Sequence, residues 1–219
     1  MRSVQVSVII PVFNQEQYIG RCLRSLLKQT YSEEDYELIL INDGCTDKSV
    51  SAITPFMSGI RYHANDKRLG LPASLNIGLR KARGQFIVRV DADDFVHWDF
   101  LKILSMHLQL NHDIDAIACD YQLVSNQQDI LKQINCLEKP IGCGIMFKLD
   151  HLIEVGLYDE GFLVREEEDL RIRFLKKYNI SRVQLPLYRY RQHENNMTNN
   201  LEHMDTFQKK LDHKHNGEE

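Results

Sequence analysis

The chain has 219 residues, 43% hydrophobic and 26% charged, with 11 Gly and 5 Pro. That mixture excludes a disordered, collagen-like or coiled-coil chain, and the length suffices for one domain with a sizeable core. A net charge of -4, with no patch interleaving basic and aromatic residues, excludes general nucleic-acid binding.

The five cysteines (Cys22, Cys45, Cys119, Cys136, Cys143) contain no CxxC pair, so neither a disulfide framework nor a zinc site is expected. Met1-Arg2-Ser3-Val4-Gln5 runs into a strand pattern with no signal-peptide core. No apolar run approaches the roughly 20 residues of a spanning helix. The expectation is a cytoplasmic protein, with any membrane contact peripheral and at the inner face.

Val6-Ser7-Val8-Ile9-Ile10 is a β-branched run that predicts a buried strand stopped by Pro11. Between Glu16 and Lys28, Tyr18, Ile19, Cys22, Leu23, Leu26 and Leu27 form one apolar helical stripe. Tyr36 to Ile41 predicts a second strand; Asp47 would cap a helix running to Phe56, with Pro55 marking its end. Ile60 to His63 is a weak third strand. Leu75, Leu79 and Ala82 line a helix that ends at Gly84, read as a C′ glycine. Phe86 to Val90 predicts a fourth strand, Trp98, Leu101, Leu104 and Leu108 a helix, and Ile114 to Cys119 a fifth strand. Strand and helix alternating to about residue 119 imply βαβ units and a mostly parallel sheet flanked by helices.

From Asp120 to Lys139 the pattern loosens and turns polar. An apolar segment follows at Gly144 to Phe147, then a helix from about Glu167 to Lys177 and a strand at Leu185 to Tyr190. The expected organisation is a single domain over residues 1–198 in two halves, divided at about 119. A polar tail occupies 199–219, and its His203, His213 and His215 read as solvated.

In open α/β sheets ligands bind beyond the carboxyl ends of the strands. Polar clusters sit at three such ends: Phe13-Asn14, Asn42-Asp43-Gly44 and Asp91-Ala92-Asp93-Asp94. No GxGxxG or GxxxxGK[ST] occurs, which excludes the standard dinucleotide and P-loop ways of holding phosphate. Asp91-x-Asp93 offers two carboxylates from one extended turn, suited to a hard divalent cation such as Mg²⁺ shared with a diphosphate.

Val6 to Asn14, Ile41 to Asp47 and Val90 to Asp94 resemble the signature series of the family 2 glycosyltransferases with a GT-A fold. The likeness continues through Leu75-Asn76-x-Gly78-Leu79, Ala82-Arg83-Gly84, Glu166-Glu167-x-Asp169-Leu170-x-x-Arg173 and Tyr190-Arg191-x-His193. The resemblance implies an α/β GT-A fold and an inverting, metal-dependent transfer from a nucleotide sugar, UDP first, to a hydroxyl of a glycan or lipid-linked acceptor. Bacterial surface polysaccharide or glycoconjugate assembly is the setting it suggests. By position, Pro11, Phe13, Asn14 and Glu16 would lie against base and ribose, and Asp43 would contact the base. Asn76 and Arg83 would lie near ribose and diphosphate. Asp91 and Ala92 would face ribose or metal, and Asp93 would bind Mn²⁺ or Mg²⁺. Arg191 would close over the diphosphate and His193 complete the metal shell.

The family's base motif is Glu-Asp-x-Asp-Leu, so Glu167 stands where the family has Asp. Glu reaches about 1.5 Å further, a displacement of the size that affects catalysis. Asp169 and Glu166 remain alternatives for the base. Two other readings carry over: a non-catalytic nucleotide-sugar-binding protein of the same fold, and a sugar nucleotidylyltransferase. Cys143 reads as packing near the acceptor pocket, and Trp98 as core or cleft wall.

Overall fold

A computed structural model describes residues 4–193 and 201–216, the side chains of 201–204 and 216 excepted. Their chain order is β1 (Val6–Val12), α1 (Ile19–Leu27), β2 (Tyr36–Asn42), α2 (Ser49–Ile53), a 3-10 turn (Thr54–Gly59), β3 (Arg61–Ala64), α3 (Leu71–Lys81), β4 (Phe86–Arg89) and β5 (Phe95–Val96). Then come α4 (Phe100–Leu110), β6 (Ala116–Val124), β7 (Ile130–Ile134), β8 (Ile145–Lys148), α5 (Leu149–Glu154), α6 (Glu166–Leu175), β9 (Ile180–Arg191) and α7 (Leu201–Asn216).

One sheet runs β3-β2-β1-β4-β8-β6-β9-β5, with β7 hairpinned onto β6. It is parallel from β3 through β1 to β4, as the βαβ pattern predicts. Beyond β4 it is mixed, since β8 enters antiparallel between β4 and β6 and only β6 and β9 pair in parallel. All seven residues of β1 and of β2 are buried, which fits central strands covered on both faces.

β1 continues through Pro11 rather than stopping there. The Ile9 carbonyl accepts from Val90 N, so Ile9, and Pro11 two residues on, face β4. The β1–β4 ladder ends at Ile9↔Arg89, and Pro11 lies past it, where a missing N–H breaks no bond. Trp98 is not part of a buried stripe: it precedes α4 and is 60% exposed, and Phe100 takes the core position instead. β6 runs on to Val124 because β9 pairs with it as far as Arg191. The polar stretch after it is the turn into β7.

Gly84 is not a helix cap. α3 ends at Lys81 with Ala82 extended, and a Cβ on Gly84 would lie 2.6 Å from Ser7 N and 2.7 Å from the Val6 carbonyl carbon. The glycine lets this segment press against the start of β1, where Gly84 N donates to Ser7 Oγ at 2.9 Å. Gly84→Ala should therefore cost about 1–3 kcal/mol, read as a lower urea midpoint with an unchanged m-value.

Candidate active site

The carboxyl ends of β1, β2 and β4 open on one side of the sheet, and loops stitched to each other line it. Asn14, in the left-handed region at φ 52°, exchanges hydrogen bonds with Thr46, its Oδ1 accepting from Thr46 N at 2.8 Å. Glu16 Oε2 accepts from Lys48 N at 2.7 Å. Phe13 carries the Arg68 guanidinium 3.9 Å over its ring. Buried Asp43 caps the loop before α3, accepting from Asn65 Nδ2 (2.9 Å), Leu69 N (2.7 Å) and Gly70 N (2.9 Å). Pro11, Phe13, Asn14, Glu16 and Asp43 thus form one wall.

Two predicted contacts of that wall lie elsewhere. Asn76 is buried inside α3 and engaged by the 158–160 segment, through Tyr158 N (3.1 Å), Tyr158 O (2.9 Å) and Glu160 Oε1 (2.9 Å). Arg83 sits at the opposite end of the strands, its backbone N on Glu37 Oε1 at 2.7 Å, because α3 runs antiparallel to β1. A phosphate at the carboxyl ends is out of line with it.

Beyond β4, Asp91 and Asp93 take different partners. Asp91 is held by Arg89 through two bonds, Nε to Oδ1 at 2.6 Å and NH2 to Oδ2 at 3.1 Å. Ala92 is buried between the two aspartates. Asp93 Oδ2 lies 2.8 Å from His193 Nε2, and Arg191 Nε donates to the Asp93 carbonyl at 2.8 Å. Tyr18 packs on this end of β9: its ring stacks on His193 at 4.9 Å and faces the Arg191 guanidinium at 4.9 Å.

Asp94 has a structural task. It accepts from Tyr188 OH (2.8 Å) and Arg191 N (2.7 Å); burial, then Asp93 and Asp91, push its carboxyl well above the usual range. Asp91, Asp94 and Cys143 also gather within 4.8 Å. Burial raises the Cys143 thiol, and Arg89 and Tyr188 hold the two carboxylates. Asp93 and His193 are the side chains of this turn that could hold a cation. A carboxylate oxygen and an imidazole nitrogen, 2.8 Å apart, are a donor set whose chemistry fits Mn²⁺ or Mg²⁺.

The three acidic candidates on α6 separate clearly. Glu166 is 3% exposed and takes Arg89 NH1 on Oε1 at 2.9 Å. Burial, then Glu167, push its carboxyl up to about 8 against the lowering effect of Arg89. Asp169, fully buried, has both oxygens engaged: Oδ2 by Arg173 (2.7 Å), Oδ1 by Lys214 (2.6 Å) and His215 (2.9 Å). Burial would raise its pKa, but these donors hold it below the ordinary value. Glu167 is half-buried and lines a groove with Pro140, Ile141, Gly142 and Tyr158. Gly142 is required there, since a Cβ would meet Arg89 NH1 at 2.8 Å and Glu167 Cβ at 2.9 Å.

The sequence reading gave no site role to Arg89, Tyr188, Tyr18, Lys214 or His215. Arg89 alone had a signal, a cation inside a four-residue strand and two positions before Asp91, hence on the same face. His215, expected to be solvated, is 7% exposed at its side chain. His213 is exposed, while Thr198 and the His203 side chain lie outside the described residues. The tail from 201 is helical rather than frayed.

Glu166 ties stability to pH. Its folded pKa of about 8 lies above the unfolded value of about 4.3. Its contribution is therefore fully present below about 4.3 and lost as pH rises through about 8. Urea midpoints should fall between about pH 5 and pH 8 in the wild type, and more shallowly in Glu166→Gln.

The sequence profile described as Glycosyl transferase family 2 matches residues 7–166. "Uncharacterized glycosyltransferase EpsJ" of Bacillus subtilis (strain 168) is 30% identical over 224 residues, covering 88% of this chain and 62% of its own. Staphylococcus aureus TarS 1-349, solved in complex with UDP-GlcNAc, superposes with a TM-score of 0.77 at 20% identity, over 90% of this chain and 61% of that one. The mannosyltransferase PcManGT from Pyrobaculum calidifontis, solved with GDP-Man and Mn²⁺, gives 0.72 at 18% identity, over 89% and 59%. The chain thus spans less than two thirds of each of these proteins, and the structural likeness assigns the fold, GT-A. With a profile match over well above half its length, the chain belongs to glycosyl transferase family 2.

Proposed function

We propose that this chain is the catalytic module of a metal-dependent, inverting glycosyltransferase that uses a nucleoside diphosphate sugar, UDP-linked first, and a hydroxyl acceptor. The observation that carries this reading is the Asp93–His193 pair, 2.8 Å apart, set at the carboxyl end of β4 beside the Phe13–Asp43 wall. TarS, whose fold this chain shares, was solved with UDP-GlcNAc, which favours UDP. PcManGT was solved with Mn²⁺, and an imidazole ligand suits Mn²⁺ better than Mg²⁺. When bound, the cation offsets the charge that builds on a departing nucleoside diphosphate.

The chain's own residues supply the rest. Phe13 gives the base a face, and Asp91, oriented by Arg89, gives the ribose or diphosphate side a fixed carboxylate. Inversion in a single displacement needs a base on the acceptor side to take the hydroxyl proton as it attacks. Glu167 fits that role: Asp169 has no free oxygen face, and Glu166 is pinned under Arg89. The groove along Pro140 to Gly142 is the acceptor's approach, for a glycan or lipid-linked hydroxyl of surface polysaccharide or glycoconjugate assembly. Among the described residues no helix is long and apolar enough to cross a membrane.

A nucleotide at a hundredfold excess over its Kd adds about 2.7 kcal/mol of stability. Thermal shifts should rank UDP with Mn²⁺ above UDP with chelator, and Asp93→Ala should erase the difference. Absence of any nucleotide shift would remove this reading. Glu167→Gln should lower turnover by about 10²–10⁴-fold at unchanged nucleotide affinity. Unchanged turnover would favour Glu166 as the base, and no turnover in the wild type with any donor would return the non-catalytic reading.

A further inference from the structure

The C-terminal helix makes contacts that the proposed transfer does not use. Leu211 of α7 is buried, and Phe207 packs near Phe162 at 6.2 Å. Lys210 donates to the Gly161 carbonyl at 2.6 Å. Lys214 bridges two carboxylates, Asp159 Oδ2 at 2.8 Å and Asp169 Oδ1 at 2.6 Å. His215 Nε2 meets the same Asp169 oxygen at 2.9 Å. A charged side chain is thus fully buried two residues after Glu167 and three after Glu166, with donors from outside its own helix.

α6 needs such support. It starts at Arg165 in a left-handed conformation, with no side chain capping its N-terminus, so local sequence does not set where its first turn points. Arg173 holds the far side of Asp169 and donates to the Leu157 carbonyl at 2.7 Å, past the end of α5. Asn76 pins the segment from Tyr158 to Glu160 onto α3, and Lys214 joins Asp159, in that same segment, to Asp169. A continuous path of bonds therefore runs from the donor-side helix α3 through α7 to the first turn of α6. A fully engaged carboxylate is rigid, because every departure leaves a buried charge short of a partner.

We propose that Lys214 and His215 are positioning residues for the acceptor-side carboxylates: through Asp169 they fix the first turn of α6 and so the placement of Glu167. This rests on the glycosyltransferase reading for its catalytic consequence and on the bonds above for its structural part.

The experiment compares full-length wild type with Lys214→Ala and His215→Ala, with Lys214→Arg and His215→Gln, which keep a donor, and with Lys209→Ala. Lys209 is exposed on the same helix and paired only with Asp205, at 2.9 Å, among the contacts described. Two readouts are taken: steady-state release of UDP from UDP-sugar, and hydrogen exchange of peptides covering α6 and β1. A displacement near 1 Å costs about 100-fold, so the alanine variants should lose about ten- to hundredfold in kcat, with KM for donor within twofold. Their α6 amides near 166–170 should exchange faster, with β1 unchanged. Lys214→Arg and His215→Gln should restore most of both, and Lys209→Ala should match wild type.

Unchanged kcat in both alanine variants would overturn the proposal, as would a kcat loss without faster exchange in α6, or a loosening shared equally by β1. If the wild type turns over no donor, the glycosyltransferase reading fails. Exchange alone then decides the structural part: selective loosening of α6 supports it and unchanged exchange overturns it.

Discussion

A single buried guanidinium joins the two halves of this site. Arg89, at the end of β4, holds Asp91 with two bonds and Glu166 with a third. One cation thereby ties the turn after β4 to the first turn of α6. A carboxylate buried as deeply as Glu166 is costly unless a charge answers it, and removing one partner leaves the other stranded. The rest of the site is arranged around that constraint: Gly142 is bare so that Arg89 and Glu167 can both pass it, and Tyr188 fills the space behind Asp94.

The partition of acidic groups follows. Seven carboxylates crowd the turn from Asp91 to Asp94 and the first turn of α6, and mutual repulsion would be severe if all faced the same space. Most are held inward: Asp91 and Glu166 share Arg89, Asp94 accepts from Tyr188 and the Arg191 amide, Glu168 pairs with Arg165, and Asp169 is held by Arg173 and Lys214. That leaves Asp93 turned to His193 and Glu167 turned to the groove, one carboxylate for each side of the proposed transfer. Partners rather than residue type decide which carboxylate faces which space.

β9 performs a second closure. Its parallel pairing along nine residues of β6, from Ala116↔Ile180 to Val124↔Arg191, delivers Arg191 and His193 to the Asp93 turn, about a hundred residues away in sequence. Arg191 is buried, and its bonds to the Asp93 carbonyl and to the carbonyls of Ser125 and Asn126 lock that end of the strand. Tyr18 stacks on the same residues from the first α-helical connection. The site is thus held by elements from both ends of the described chain.

Local pattern determined the first half of this protein. Apolar β-branched runs and stripes at helical spacing specified β1, α1, β2 and α3, and Asn, Asp and Gly marked the loops beyond the strand ends, because parallel strands must be apolar throughout and their ends need not be. The order of the motifs carried the family. Tertiary structure decided what depends on distant partners. Asp169 and Glu167 are near-identical in sequence context, yet Lys214 and His215 saturate one and leave the other to the groove. Arg83 reads as a phosphate contact in one dimension and sits at the wrong end of the strands in three. The antiparallel entry of β8, the hairpin at β7 and the docking of α7 likewise had no local signal. Their stability comes from pairing and burial against segments remote in sequence, which periodicity does not encode.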